Sequence, residues 1–155
     1  LRLEVIVKSE EVKPINAFTV EEIVLLCYNL HGNKYEEGGL FMSQSPLIVK
    51  SKEFALETIR ACKILREAKC ESALINQYLR SGTSIGANIR EAFYAHGKAD
   101  FIAKLHIALK ECSETEYWLE LLIESGYSDK ATLDKCVELK KILITSLNTA
   151  KENLK

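Results

Sequence analysis

Residues 81–88 read S-G-T-S-I-G-A-N, with Gly82 and Gly86 four apart among short hydroxyl side chains. Glycines in such company can do one of two things. They can open backbone amides to a phosphate, or they can remove side-chain bulk so that two helices approach closely. A phosphate loop ends in G-K-[ST] and follows a strand; here the run continues into I-R-E-A and no strand pattern precedes it. The four-residue spacing instead puts both glycines on one face of a helix, beside Ser81, Ser84 and Ala87. Each glycine costs about 1 kcal/mol relative to alanine inside a helix, so close packing must offset it. A break in the helix at Gly82 is the rival reading.

Other reactive side chains do not gather into a recognisable centre. His31, His96 and His106 stand apart, and the Glu-x-x-His pattern of di-metal bundles does not occur. His96 and Asp100 form a weak pair across a probable turn. No G-x-S-x-G elbow appears, and no cysteine stands beside a base that could activate it. The expectation is a protein with no catalytic residue, no metal and no cofactor. Cys27, Cys62, Cys70, Cys112 and Cys136 are odd in number, widely spaced and mostly within apolar helical patterns. They fit reduced core residues of a cytoplasmic protein.

Two features could bind rather than react. Lys52, Arg60, Lys63 and Arg66 fall within an arc of about 120° on one side of a helix at 100° per residue. Glu53 and Glu67 interleave with them, so one such strip could be a solvated face, whereas several repeated around an oligomer would sum to a field that attracts RNA. The aromatic pair Tyr117 and Trp118 suits a core or a subunit interface better than base stacking. Arg80, Asn88, Arg90, Glu91, Glu114 and Glu116 are embedded among apolar positions, where interhelical or intersubunit ion pairing is the expected role.

The elements that must position these residues follow from periodicity. At 155 residues the length fits one domain, and a formal net charge of −1 supplies no strong field. The first helix carries a stripe of Phe54, Ala55, Ile59, Ala61, Cys62, Leu65 and Ala68 from about Ser51 on. The second, about Ser72 to Tyr94, repeats Leu74, Tyr78, Ile85, Ile89 and Phe93; the third, about Lys98 to Glu124, repeats Phe101, Leu105, Ala108, Cys112, Leu119 and Leu122. Off that stripe the third helix also carries Ile102, Ile107, Tyr117, Trp118 and Ile123, which predicts burial on two sides. Gly126 suits a left-handed helix end, Ser128 or Asp129 a cap, and Leu133, Val137, Ile144 and Leu147 the stripe of a fourth helix. Short connections imply an all-α, antiparallel up-down-up-down four-helix bundle. Residues 1–41 differ, with net charge −3, a strand-like start, Pro14 and a short apolar helix pattern after Thr19. They read as an N-terminal extension or an upstream-frame segment, with Met42 as the natural start and 42–155 as the bundle domain. No secretory pattern is seen, and no apolar run approaches the roughly 20 residues of a membrane span.

With R-S-G-T-S-I-G-A-N-I-R-E-A at 80–92, K-A-D-F-I-A-K-L at 98–105 and A-L-K-E-C-S-E-T-E-Y-W-L-E-L-L at 108–122, the chain resembles the bacterial four-helix bundle family encoded by intervening sequences in 23S ribosomal RNA genes. The resemblance runs from about Leu47 to the C-terminus. It implies a bundle that assembles into a ring, a pentamer, without catalytic residues. The family is similar to the accessory protein of diversity-generating retroelements, which associates with a reverse transcriptase, and Arg80, Arg90 and Lys98 match basic positions of the family's motifs. The resulting expectation is a non-enzymatic oligomer that binds RNA or an RNA-processing partner through Lys52, Arg60, Lys63, Arg66, Arg80, Arg90 and Lys98. Gly82, Gly86, Tyr117 and Trp118 are expected at helix or subunit contacts. The alternative is a protein-interaction scaffold for a reverse-transcriptase-like partner.

Overall fold

A computed structural model describes residues 45–152; the division into 1–41 and 42–155, with His31 and Cys27, lies outside them. The described chain forms four helices, α1 (Pro46–Glu67), α2 (Ser72–Ala92), α3 (Lys98–Glu124) and α4 (Lys130–Glu152), with no strand among the described residues. They pack up-down-up-down, each helix against the next, and α4 closes back on α1. That last contact is the thinnest of the four, and α2 against α3 is the most extensive.

The joints explain where each helix stops. Pro46 opens α1, five residues before the start expected from the sequence pattern, because its fixed φ suits the first turn and its missing N–H is not needed there. α1 ends with Lys69 at φ 57, and the Lys69 and Cys70 N–H groups donate to the carbonyls of Arg66 (3.1 Å) and Leu65 (3.0 Å). A lysine thus takes the left-handed position usually given to glycine, held by those two bonds and by burial of Cys70. At the end of α3, Gly126 (φ 77) and Tyr127 donate to Ile123 (2.9 Å) and Leu122 (2.8 Å) in the same pattern. Asp129 Oδ1 then accepts from the Ala131 N–H at 3.0 Å and caps α4. Phe93 meets Phe101 edge-on across the α2–α3 turn, with centroids 6.0 Å apart.

The core is aliphatic with a Ser or Thr on every helix: Ser51 and Thr58, Ser81, Thr115, and Ser146 are all buried. Each hydroxyl bonds a carbonyl three or four residues back on its own helix, as Thr58 Oγ1 does to Phe54 at 3.0 Å. A short hydroxyl satisfied in this way can be buried cheaply. Two expected stripes are therefore corrected. α1 faces inward with Leu47, Ile48, Ser51, Phe54, Thr58, Cys62 and Leu65, while Ile59 and Ala68 face solvent. α4 faces inward with Cys136, Leu139, Leu143, Ser146, Leu147 and Ala150, while Ile144 is exposed and Leu133 and Val137 are half-buried. The α2 and α3 stripes are buried as expected, apart from half-buried Leu74.

Candidate functional site

α2 runs unbroken through both glycines, so a helix break at Gly82 does not occur. The two glycines face α1 but differ in tightness. A Cβ at Gly82 would sit 2.8 Å from both Cγ2 and Oγ1 of Thr58, whose hydroxyl is tied to Phe54. A Cβ at Gly86 would sit 3.4 Å from the Ser51 carbonyl oxygen, an ordinary contact. The close approach is therefore at Gly82, against a β-branched side chain that has little freedom to turn away.

The opposite side of α1 has a different composition. Lys52, Arg60, Lys63 and Arg66 are all exposed, and none makes an ion pair with the described residues. Set among them are Val49, Leu56 (43% exposed), Ile59 (50%) and Ile64 (63%). This mixture of bare cations and large aliphatic side chains was not expected from the sequence pattern, in which Ile59 counted toward the core. The signal was present: Leu56, Ile59 and Ile64 are out of phase with Phe54, Thr58, Cys62 and Leu65.

The remaining basic candidates are used differently. Arg80 bridges α2 to α3: it pairs with Glu114, lies 3.9 Å from Glu111 and bonds Gln77 at 3.4 Å. Glu114 also accepts the Trp118 indole N–H at 3.2 Å. Arg90 is exposed near the end of α2 without an ion pair among the described residues, and half-buried Lys98 opens α3. Both stand at the end of the bundle where α1 begins, so they extend toward Lys52 rather than toward Arg66. Tyr117 and Trp118 meet at 5.0 Å between centroids. Trp118 packs against the core, whereas Tyr117 is 52% exposed.

Between α1 and α4 lies an open groove of about 340 Å³, floored by Phe54 and Leu139 and edged by Leu56 and Arg60. Two ion pairs span the seam, Lys50–Glu138 and Lys135–Glu57, each at 2.6 Å. Lys104–Glu91 at 2.5 Å joins α2 to α3, and Lys140–Glu116 joins α3 to α4. Hydrogen bonding to their glutamates holds both Lys104 and Lys140 above the usual lysine range. Burial pushes the Cys62 thiol and the Tyr78 hydroxyl upward.

Among the described residues acid, base and nucleophile are not brought together in one place. His96 and His106 are exposed and apart, and the Asp100 carboxylate accepts the His96 backbone N–H at 3.3 Å, which is a helix-start contact. Among the described residues no group of three or more His, Cys, Asp or Glu side chains could hold a metal ion, and no helix is long and apolar enough to cross a membrane. What the arrangement offers is contact surface: apolar and cationic along α1, polar and ion-paired along the α2–α3 seam.

Comparison with known proteins agrees with the bundle. Residues 44–149 match the family described as 23S rRNA-intervening sequence protein. A crystal structure at 1.70 Å of a protein of unknown function from the S23 ribosomal protein family, from Bacteroides thetaiotaomicron VPI-5482, is 48% identical over 65% of this chain and 97% of that one, with a TM-score of 0.62. No curated protein matches. The match spans more than half of the sequence, and the chain belongs to the 23S rRNA-intervening sequence protein family.

Proposed function

We propose that this member of the family is a non-catalytic, self-associating binding module whose α1 outer face contacts RNA. One observation carries the reading. Among the described residues Lys52, Arg60, Lys63 and Arg66 are exposed and unpaired, whereas Lys50, Arg80, Lys104, Lys135 and Lys140 are each paired with a glutamate. An unpaired cation can neutralise a phosphate without first breaking an intramolecular pair. The net charge of the whole chain is too low for one strip to bind tightly, so the binding form is an oligomer, a pentameric ring by family resemblance, in the reducing cytoplasm. Exposed Ile107, Tyr117 and Ile144, away from the α1 arc, supply the apolar surface that self-association would cover.

A second reading rests on the aliphatic residues in the same arc. Leu56, Ile59 and Ile64 suit a protein partner, such as a reverse-transcriptase-like protein, better than a phosphate backbone. The test is fluorescence anisotropy with labelled RNA at low salt, using wild-type protein and the triple variant Arg60→Glu, Lys63→Glu, Arg66→Glu. Saturable binding by the wild type that the variant loses, with both folded and equally assembled, supports the RNA reading. No binding by the intact oligomer favours the protein scaffold.

A further inference from the structure

Cys112 on α3 and Cys136 on α4 are both fully buried, and their sulfurs lie 3.7 Å apart. Each sulfur also lies near the other residue's backbone, Cys112 Sγ to the Cys136 carbonyl oxygen at 3.5 Å and Cys136 Sγ to the Cys112 carbonyl oxygen at 3.6 Å. The two side chains therefore lie alongside each other rather than tip to tip. A disulfide needs its sulfurs at about 2.05 Å, so the two sulfurs have to approach by about 1.7 Å to close the gap. Cys62 and Cys70 are also buried thiols, but Cys62 Sγ is directed at the Ile75 carbonyl oxygen.

We propose that Cys112 and Cys136 form an oxidisable dithiol, and that a small-molecule disulfide converts it into a cross-link locking α4 onto α3. One thiol loses its proton, and the thiolate attacks the reagent RSSR, forming a mixed disulfide and releasing one thiolate RS⁻. The second cysteine, deprotonated in turn, attacks the protein sulfur of that mixed disulfide, forms the Cys112–Cys136 bond and releases the second RS⁻. Two protein thiols are oxidised by two electrons, and RSSR is reduced to two RSH.

The bundle regulates access to this pair. In the closed state both thiols are shielded from the reagent, and contact with Cys112 together with burial keeps the Cys136 thiol protonated. α4 is held on its other side by the thin α1 seam, with its groove and two largely exposed ion pairs. Parting of that seam brings the dithiol to solvent, and the cross-link then fixes the helix that is otherwise held least. The same closeness that makes reaction slow in the closed bundle makes the second, intramolecular step fast once the first has occurred.

The experiment incubates the full folded chain with oxidised glutathione, blocks remaining thiols, digests without reductant and identifies linked peptides by mass spectrometry. Thermal unfolding is followed on the same samples. The expected product joins the peptides containing Cys112 and Cys136, two hydrogens lighter than their sum, with Tm raised by about 10 °C and restored by reductant. Cys136→Ala and Cys112→Ala should each abolish the linked peptide, and whichever variant folds should show no rise in Tm. Two results would overturn the proposal. One is oxidised protein in which Cys112 and Cys136 remain unlinked, whether as thiols, as mixed disulfides or paired with other cysteines. The other is the linked product melting at or below the reduced protein.

Discussion

The inner and outer faces of α1 follow opposite rules. Inward, Ser51 and Thr58 are small and satisfied on their own helix, Cys62 faces the Ile75 carbonyl of α2, and Thr58 lies where a single methyl on Gly82 would collide. Outward, Leu56, Ile59 and Ile64 are large and exposed, among cations without ion-pair partners in the described residues. The inner face is determined by the fold of one chain. The outer face carries aliphatic and basic side chains that the single bundle does not use, and those are the residues a contact would need. The α2–α3 seam makes the same point in reverse, since Arg80, Lys104, Glu91 and Glu114 are already engaged with each other.

The largest expected effect breaks the inner face without mutation. Cys62 and Cys136 both have folded-state pKa values raised above the ordinary 9.0 of a thiol, Cys62 by burial and Cys136 by its contact with Cys112 and by burial. Above pH 9 the unfolded chain releases thiol protons that the folded chain retains, so this stabilisation is complete below pH 9 and declines as pH rises. A thiol that stays protonated in the folded chain contributes a slope approaching about 1.4 kcal/mol per pH unit once the pH is above its unfolded value. Denaturant unfolding under reducing conditions should show stability falling between pH 9 and 10.5, and a flat profile would refute the assignment of these thiols to the closed core. Next in size is Gly82→Ala, expected to lose about 2 kcal/mol because overpacking against Thr58 outweighs the gain in helix propensity. Gly86→Ala should have the opposite sign, gaining about 0.5 kcal/mol, since its Cβ meets only an ordinary contact. Equal effects at the two glycines, measured by urea midpoints, would remove the distinction between them.

Much of the bundle was legible in the sequence because α2 and α3 are strongly patterned: Tyr78, Ile85, Ile89, Leu105, Cys112 and Leu119 fall on one face and all are buried. α1 and α4 were misphased for one physical reason. Their inward faces include Ser51, Thr58 and Ser146, polar by composition but satisfied on their own helices, so a search for apolar spacing drew in Ile59 and Ile144 instead. The basic arc was visible, since it depends only on spacing. That its cations lack partners among the described residues while Arg80 has several was not visible, because pairing depends on which glutamates the neighbouring helix presents. The small stability effect expected on the outer face follows from this division. Leu56→Glu with Ile59→Glu should change monomer stability by less than about 0.5 kcal/mol and leave self-association unchanged in sedimentation experiments, while weakening RNA binding. Loss of assembly would show that the aliphatic residues of α1 form a subunit contact instead.

The central claim, that the unpaired cations of α1 are the RNA contact, is tested most directly by the salt dependence of RNA affinity. For single-stranded RNA the logarithm of affinity should fall linearly with the logarithm of salt concentration, with a slope of about −3 for each protomer arc fully engaged. The account predicts that Arg60→Glu, Lys63→Glu, Arg66→Glu flattens this slope and abolishes binding at low salt, while Arg80→Gln leaves the slope unchanged. A slope that survives the triple reversal, or that Arg80→Gln reduces instead, would contradict it.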